Sequence, residues 1–245
     1  MVVGSYACEM ASEEIPAPTV GRLPAYLRAA IELAGDEMSH VSSERLATML
    51  GHNAATVRRD LGALGISGTR GVGYDVKHLV YEISVELGVN QEWPVVVVGA
   101  GNLGRALANY AGMAQRGFPV RALVDVNPDL VGASVAGVLV SGLNDLPDVV
   151  AANGVAVGVI ATPADGAQEA ADALVAAGIT SILNFTVRSV VVPDTTIVRR
   201  VDLATELQIL SFYQQRGQGV ASGTGLPLDV DVSPEGFGDN VERCE

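Results

Sequence analysis

Val95-Val96-Val97-Val98-Gly99-Ala100-Gly101-Asn102-Leu103-Gly104 decides how this chain is read. Four valines are too short a run for a lone helix and suit a strand buried on both faces. The run breaks into Gly-x-Gly-x-x-Gly and continues as Arg105-Ala106-Leu107-Ala108-Asn109-Tyr110, which reads as helix. Strand, glycine turn and helix in that order make a dinucleotide-binding unit. Gly99 permits the tight turn, Gly101 admits a pyrophosphate close to the backbone, and Gly104 lets the helix pack on the strand. The loop of Gly99, Ala100, Gly101, Asn102, Leu103 and Gly104 would hold phosphate on unpaired N–H groups at the helix N-terminus. A strand-turn-helix that binds nothing is the competing reading.

Residues beyond the loop favour the binding unit. A second strand over 120–124 ends in Asp125, 21 residues after Gly104. A carboxylate there suits the hydroxyls of an adenosine ribose and repels a 2′-phosphate. Val126-Asn127-Pro128 supplies no arginine to hold such a phosphate, so NADH and NAD+ are the expected cofactors.

Strands over 138–140, 155–160, 181–183 and 196–201 alternate with helices, one capped by Asn144 and one starting at Asp165. That rhythm gives an α/β fold with a Rossmann-like, doubly wound parallel sheet. Ligands of such sheets lie at the carboxyl ends of the strands, where Thr162, Pro163, Asn184 and Phe185 fall. These two loops are places for the second half of a dinucleotide; plain structural turns are the other reading.

Ahead of the sheet the composition changes. The chain of 245 residues carries a net charge of −13, yet its three histidines and its single lysine all precede residue 79. Between Arg22 and His78, seven Lys/Arg stand against six Asp/Glu, so the acid excess lies elsewhere. Three short helices are expected in this region. The first starts near Leu23-Pro24 with the proline in its first turn, the second follows Ser42-Ser43, and the third is capped by Asn53 and spans 54–64. The third has Val57, Leu61 and Leu64 inward, Thr56 and Arg59 outward, and Arg58 partly so. Helix, short turn and helix make a helix-turn-helix. Gly68-Thr69-Arg70-Gly71-Val72-Gly73-Tyr74 then suits a tight hairpin with Arg70 near its tip, the wing of a winged helix. Thr56, Arg58, Arg59 and Arg70 are the candidate DNA contacts. Arg59 is assigned to the groove, Arg58 to the phosphate backbone and Arg70 to the minor groove. A small helical domain with merely solvated arginines is the alternative. A helix over 76–87 connects to the sheet.

The last helix begins after Asp202 and runs to about Arg216, with apolar residues around more than one face, which asks for a second surface. Residues 217–245 are rich in glycine and acid. Cys8 and Cys244 have no metal-ligand spacing, which fits a reducing cytoplasm. No run of about 18 apolar residues and no secretory leader are read, so no membrane segment is expected.

A winged helix, a linking helix, a Rossmann domain and a C-terminal helix in this order resemble the Rex family of redox-sensing transcriptional repressors. Thr56-Val57-Arg58-Arg59-Asp60-Leu61 is similar to the family's recognition helix, 68–74 to its wing, and 98–104 to its nucleotide loop. Ile182-Leu183-Asn184-Phe185 and Val201-Asp202-Leu203 are similar to later motifs. The chain departs at Gly62-Ala63-Leu64, where Ser-Tyr-Phe is usual, and at Thr186-Val187-Arg188, where Ala-Pro-Val is usual. The resemblance implies a homodimeric repressor on palindromic operator DNA, bound when the NADH/NAD+ ratio is low and released by NADH. It also implies a C-terminal helix exchanged between the subunits, and Arg28, Tyr110 and Asp202 as a polar switch across the domain and subunit interface. The expected map is a disordered leader (1–20), a winged-helix domain (21–88), a Rossmann domain (89–201), a dimerisation helix (202–216) and a disordered acidic tail (217–245). An NAD-dependent dehydrogenase and a CoA-binding module remain as alternatives. Against the first, residues 95–245 hold no histidine or lysine to serve as acid or base. No catalytic or metal-binding residues are expected.

Overall fold

The computed structural model describes residues 15–216; the acidic 217–245 stretch, both cysteines and most of the proposed leader lie outside them. The described chain divides into two compact units, one ending at Ile83 and the other beginning at Ser84. That division falls inside the linking helix, ahead of the proposed boundary at 88.

The first unit holds α1 (Ala17–Gly35), β1 (His40–Val41), α2 (Ser43–Leu50), α3 (Ala54–Ala63), β2 (Tyr74–Asp75) and most of α4 (Val76–Glu86). Helix α1 starts earlier than its periodicity suggests: Pro16 precedes it and Pro18 takes the first turn, so 17–20 are helix and not leader. Pro24 lies inside the helix, on its exposed side. The caps fall as expected. Ser42 Oγ accepts the Arg45 N–H at 3.2 Å, and Asn53 Oδ1 accepts the Thr56 N–H at 2.8 Å. Leu33, Leu46, Val57, Leu61 and Leu79 bury the apolar faces of all four helices. Strands β1 and β2 pair antiparallel, and Thr69 bridges Gly73 so that Arg70 sits in the exposed turn.

The second unit is a seven-stranded sheet. Its strands are β3 (Val95–Val98), β4 (Val120–Asp125), β5 (Ser134–Val135), β6 (Val138–Gly142), β7 (Val157–Ile160), β8 (Ser181–Asn184) and β9 (Ile197–Arg200). The order is β5-β6-β4-β3-β7-β8-β9. All neighbours are parallel except β5 with β6, a two-residue hairpin through Ala136 and Gly137 that adds an antiparallel edge to the parallel sheet. Helices α5 (Asn102–Asn109), α6 (Ala111–Ala114), α7 (Leu146–Asn153) and α8 (Ala167–Ala176) complete it, with α9 (Leu203–Gln215) last. The valine run explains the centre. Val96 and Val98 join the core layer that holds Leu146, Ala171 and Leu174, while Val95 and Val97 face the opposite layer with Leu123 and Val140. Period-two alternation across a strand thus feeds two cores at once.

Two helix starts differ from the sequence expectation. Asn144 lies in a 3-10 turn over Leu143–Asp145 and caps nothing, since Pro147 sets the first turn of α7. Asp165 likewise belongs to a 3-10 turn, and α8 begins at Ala167.

Candidate nucleotide crevice and DNA-reading face

Each glycine of the loop has its own constraint. Gly99 has φ +105°, and a Cβ there would stand 2.6 Å from the Ala161 carbonyl oxygen. A Cβ on Gly104 would strike the Gly99 carbonyl oxygen, so α5 lies directly against the turn. At Gly101 a Cβ would meet nothing within 4 Å, which leaves open space at the mouth of α5. No side chain caps that helix N-terminus. Asn102 and Leu103 are exposed beside it. The arrangement is a cradle of free N–H groups with room for an anion.

The carboxylate of Asp125 closes one side. Its Oδ2 accepts the Ala100 N–H at 2.6 Å and its Oδ1 accepts the Asn127 N–H at 2.8 Å, each oxygen keeping acceptor capacity for a hydroxyl. Ala100 is held from its other end too, because Arg105 Nε donates to its carbonyl oxygen at 3.0 Å. Sequence reasoning missed Arg105; its position four residues past the second glycine was the one signal. On the other side of β3, Thr162 Oγ1 is buried and has no hydrogen-bond partner among the described residues. Its backbone N would lie 3.0 Å from a Gly99 Cβ, while its hydroxyl would lie 3.7 Å from a Cβ on Gly166, just ahead of α8. An open cradle and a carboxylate beside it together fit an adenine dinucleotide. Pro163 is exposed at the rim.

Asn184 is placed differently from the expectation. It is 1% exposed, its Nδ2 donates to the Arg188 carbonyl oxygen at 2.8 Å, and its Oδ1 accepts the Thr186 N–H at 2.8 Å. Both ends of the amide are thus engaged in holding the 184–188 turn. Thr186 Oγ1 donates to the same Arg188 oxygen at 3.1 Å. Phe185 is half-buried against the core layer of Val97 and Val159.

In the first unit, Arg59 and Arg70 are exposed and have no hydrogen bond or ion pair among the described residues. Arg58 is turned along α2, donating to Ser43 Oγ at 2.9 Å and to Glu44 Oε1 at 3.2 Å. Thr56 is half-buried at the start of α3. The residue missed from sequence is Asp60. It is fully buried, accepts two bonds from Arg22 at 2.7 Å each, and accepts one each from Tyr26 and Thr19 at 2.9 Å. Burial pushes the Asp60 carboxyl up, but the bonds from Arg22, Tyr26 and Thr19 outweigh it and hold the group below its usual value. Burial, then donation to Asp60, pushes the Tyr26 phenol up, and the bond to Asp60 raises Arg22. Thr19, Arg22 and Tyr26 follow one face of α1, so this cluster sets how the helix of Arg58 and Arg59 lies on α1. Helical spacing from Val57 was its one sequence signal.

Of the three residues assigned to a switch, Arg28 is exposed on α1, and Tyr110 is 54% exposed in the break between α5 and α6. Asp202 Oδ1 caps α9, accepting the Ala204 and Thr205 N–H groups at 2.9 and 3.4 Å. Leu203, Leu207, Leu210 and Phe212 of α9 are all exposed. Among the described residues no cluster of His, Cys, Asp or Glu could hold a metal ion, and no helix is long and apolar enough to cross a membrane.

Known proteins with these features are similar over nearly the whole chain. The family model "CoA binding domain" matches residues 90–187, and "Putative DNA-binding protein N-terminus" matches 14–62. The redox-sensing transcriptional repressor Rex of Streptomyces avermitilis is 52% identical over 92% of this chain and 92% of its own length. That of Streptomyces coelicolor is 53% identical over 89% of this chain and 85% of its own. These relatives are named repressors, not enzymes. RSP, a Rex-family repressor crystallised with β-NAD+ and operator DNA, is 34% identical with a TM-score of 0.78, covering 84% of this chain and 94% of that one. RSP with β-NADH gives 0.74 at 33% identity, covering 83% and 96%. With a glycine cradle, a winged helix and more than half of its aligned residues shared with such relatives, the chain belongs to the Rex family of redox-sensing transcriptional repressors.

Proposed function

We propose that this chain is a homodimeric repressor that holds palindromic operator DNA when NADH is scarce and releases it when NADH binds. One observation carries the reading. A single chain joins an open glycine cradle beside Asp125 to a winged helix with two unpartnered arginines among its described residues. The adenosine half of NADH or NAD+ lies between Gly101 and Asp125, where the carboxylate takes ribose hydroxyls and turns away a 2′-phosphate. Thr162 and Pro163, at the end of β7, border the second half.

On DNA, Arg59 of α3 reads the major groove, Arg58 leaves Glu44 for phosphate, and Arg70 enters the minor groove. An exposed ion pair such as Arg58 with Glu44 is weak enough to exchange for phosphate. The exposed leucines of α9 pack on a second subunit, exchanged between protomers. Arg28, Tyr110 and Asp202 relay cofactor occupancy to the spacing of the two recognition helices. The repressor works in the cytoplasm, where its operator is.

The test is operator binding by electrophoretic shift with NADH and NAD+ titrated separately. Arg58→Ala, Arg59→Ala and Arg70→Ala are run alongside across a salt series. NADH should release the DNA at concentrations where NAD+ does not. Arg59→Ala should lose about 1–3 kcal/mol at one base position, and Arg58→Ala should lower the salt slope by about 1. Wild-type binding by all three variants would remove the N-terminal unit as the DNA reader.

A further inference from the structure

The carboxyl edge of the sheet is electrically uneven. On the β4 side it carries Asp125, with Asp129 in the next turn. On the β8–β9 side it carries Arg188 in the loop after β8, and Arg200 at the end of β9, directly opposite Asn184 in the register. Arg188 is exposed and makes no side-chain hydrogen bond or ion pair among the described residues. Its backbone, by contrast, is fixed. The Arg188 carbonyl takes bonds from Asn184 and Thr186, two polar side chains 1% and 5% exposed. A loop so tied holds its arginine at the end of β8, with β8 hydrogen-bonded to β7 and β7 to β3. Two strand spacings amount to roughly 10 Å between the end of β8 and the glycine turn. The nearby carboxylate of Asp202 is engaged with the N-terminus of α9.

We infer that Arg188, supported by Arg200, is a specificity-determining residue that sets the preference for the reduced over the oxidised cofactor by charge. The inference rests on the proposed nucleotide site. In a doubly wound sheet the adenosine half takes the side of Asp125, and the nicotinamide takes the carboxyl ends of β7 and β8. The nicotinamide ring of NAD+ carries a positive charge and that of NADH carries none, while the rest of the two molecules is the same. A guanidinium carried by this loop, on the same edge of the sheet as the ring, repels the oxidised form and leaves the reduced form untouched. At a separation of about 8–10 Å and the dielectric of a partly wet crevice, the repulsion is worth a severalfold difference in affinity, and salt screens it. The buried amide of Asn184 acts here as a positioning residue, because it keeps the Arg188 backbone against the end of β8.

The experiment measures the affinity of the full chain for NADH, NAD+ and ADP-ribose in wild type, Arg188→Gln, Arg188→Lys and Arg188→Gln/Arg200→Gln. Low and physiological ionic strength are compared. Arg188→Gln should bind NAD+ about three- to tenfold more tightly, with NADH and ADP-ribose unchanged within about twofold. The double variant should go further, Arg188→Lys should keep the wild-type preference, and the gain for NAD+ should shrink with salt. Equal weakening of all three ligands would make Arg188 a phosphate contact and overturn the inference. No change in any of them overturns it as well. Wild type that binds neither NADH nor ADP-ribose refutes the nucleotide site itself, a different outcome from loss of discrimination alone.

Discussion

Asp60 in the first unit and Thr162 in the second are both buried polar groups, and they are satisfied to opposite degrees. Asp60 accepts four hydrogen bonds from three side chains of α1. Thr162 Oγ1 has none. In the DNA-reading unit the buried charge is saturated from within, and the groups left over, Arg59 and Arg70, point to solvent. In the nucleotide unit the uncapped end of α5 opens on the crevice, and the buried Thr162 hydroxyl is left unsatisfied among the described residues. The helical unit gains a fixed helix geometry from its ion cluster as well as from its apolar core. A large sheet with two apolar layers can tolerate one unpartnered hydroxyl, at a cost its core absorbs.

The sharpest way to break this contrast is Asp60→Ala. It strands the Arg22 guanidinium and the Tyr26 and Thr19 hydroxyls, and should destabilise the first unit by about 3–5 kcal/mol. Operator binding should vanish while NADH binding, read by fluorescence, persists. The pH dependence has a definite sign. Because the folded Asp60 carboxyl titrates below its ordinary value, its contribution is complete above the unfolded value. It is lost only as pH falls through the lower folded one. Urea unfolding of the first unit should therefore be flat in this respect near neutral pH and weaken in acid.

Asp125→Ala comes next. It removes the proposed ribose acceptor and frees the Ala100 N–H, and should cost about 1.5–3 kcal/mol of NADH affinity while narrowing the preference over NADPH. Titration of both cofactors reads the two effects together.

Thr162→Val tests the unpartnered hydroxyl directly. The folded chain should gain up to about 1 kcal/mol of stability, because an unpartnered buried hydroxyl is replaced by a methyl, and NADH affinity should fall by a similar amount. Stability and affinity moving in the same direction would show the hydroxyl to be an ordinary core group.

The smallest effect is expected at Ala136, which takes φ +52° in the two-residue hairpin before Gly137. Asn-Gly is the favoured pair for such a turn, so Ala136→Asn should stabilise the nucleotide unit by about 0.5–1 kcal/mol. Melting measured by calorimetry should show that gain with operator and NADH affinities unchanged.

Much of the fold was legible because its signals are local. Gly99 and Gly104 are demanded by a turn and a close approach, Ser42, Asn53 and Asp202 cap helices through bonds two or three residues away, and the four valines alternate between faces. Backbone angles and short-range spacing dictate such features, so residue types alone reveal them. Tertiary structure decided the rest. Asp60 finds Thr19 41 residues away, and Ala100 reaches Asp125 across 25. Asn184, read from sequence as a cofactor contact, is drawn into its own loop by Thr186 and Arg188, and Arg58 is drawn along α2 by Glu44. Thr162, which follows β7, is buried with its hydroxyl unpartnered among the described residues. A polar side chain can bond wherever geometry allows, and only the packing of distant segments chooses among its possible partners.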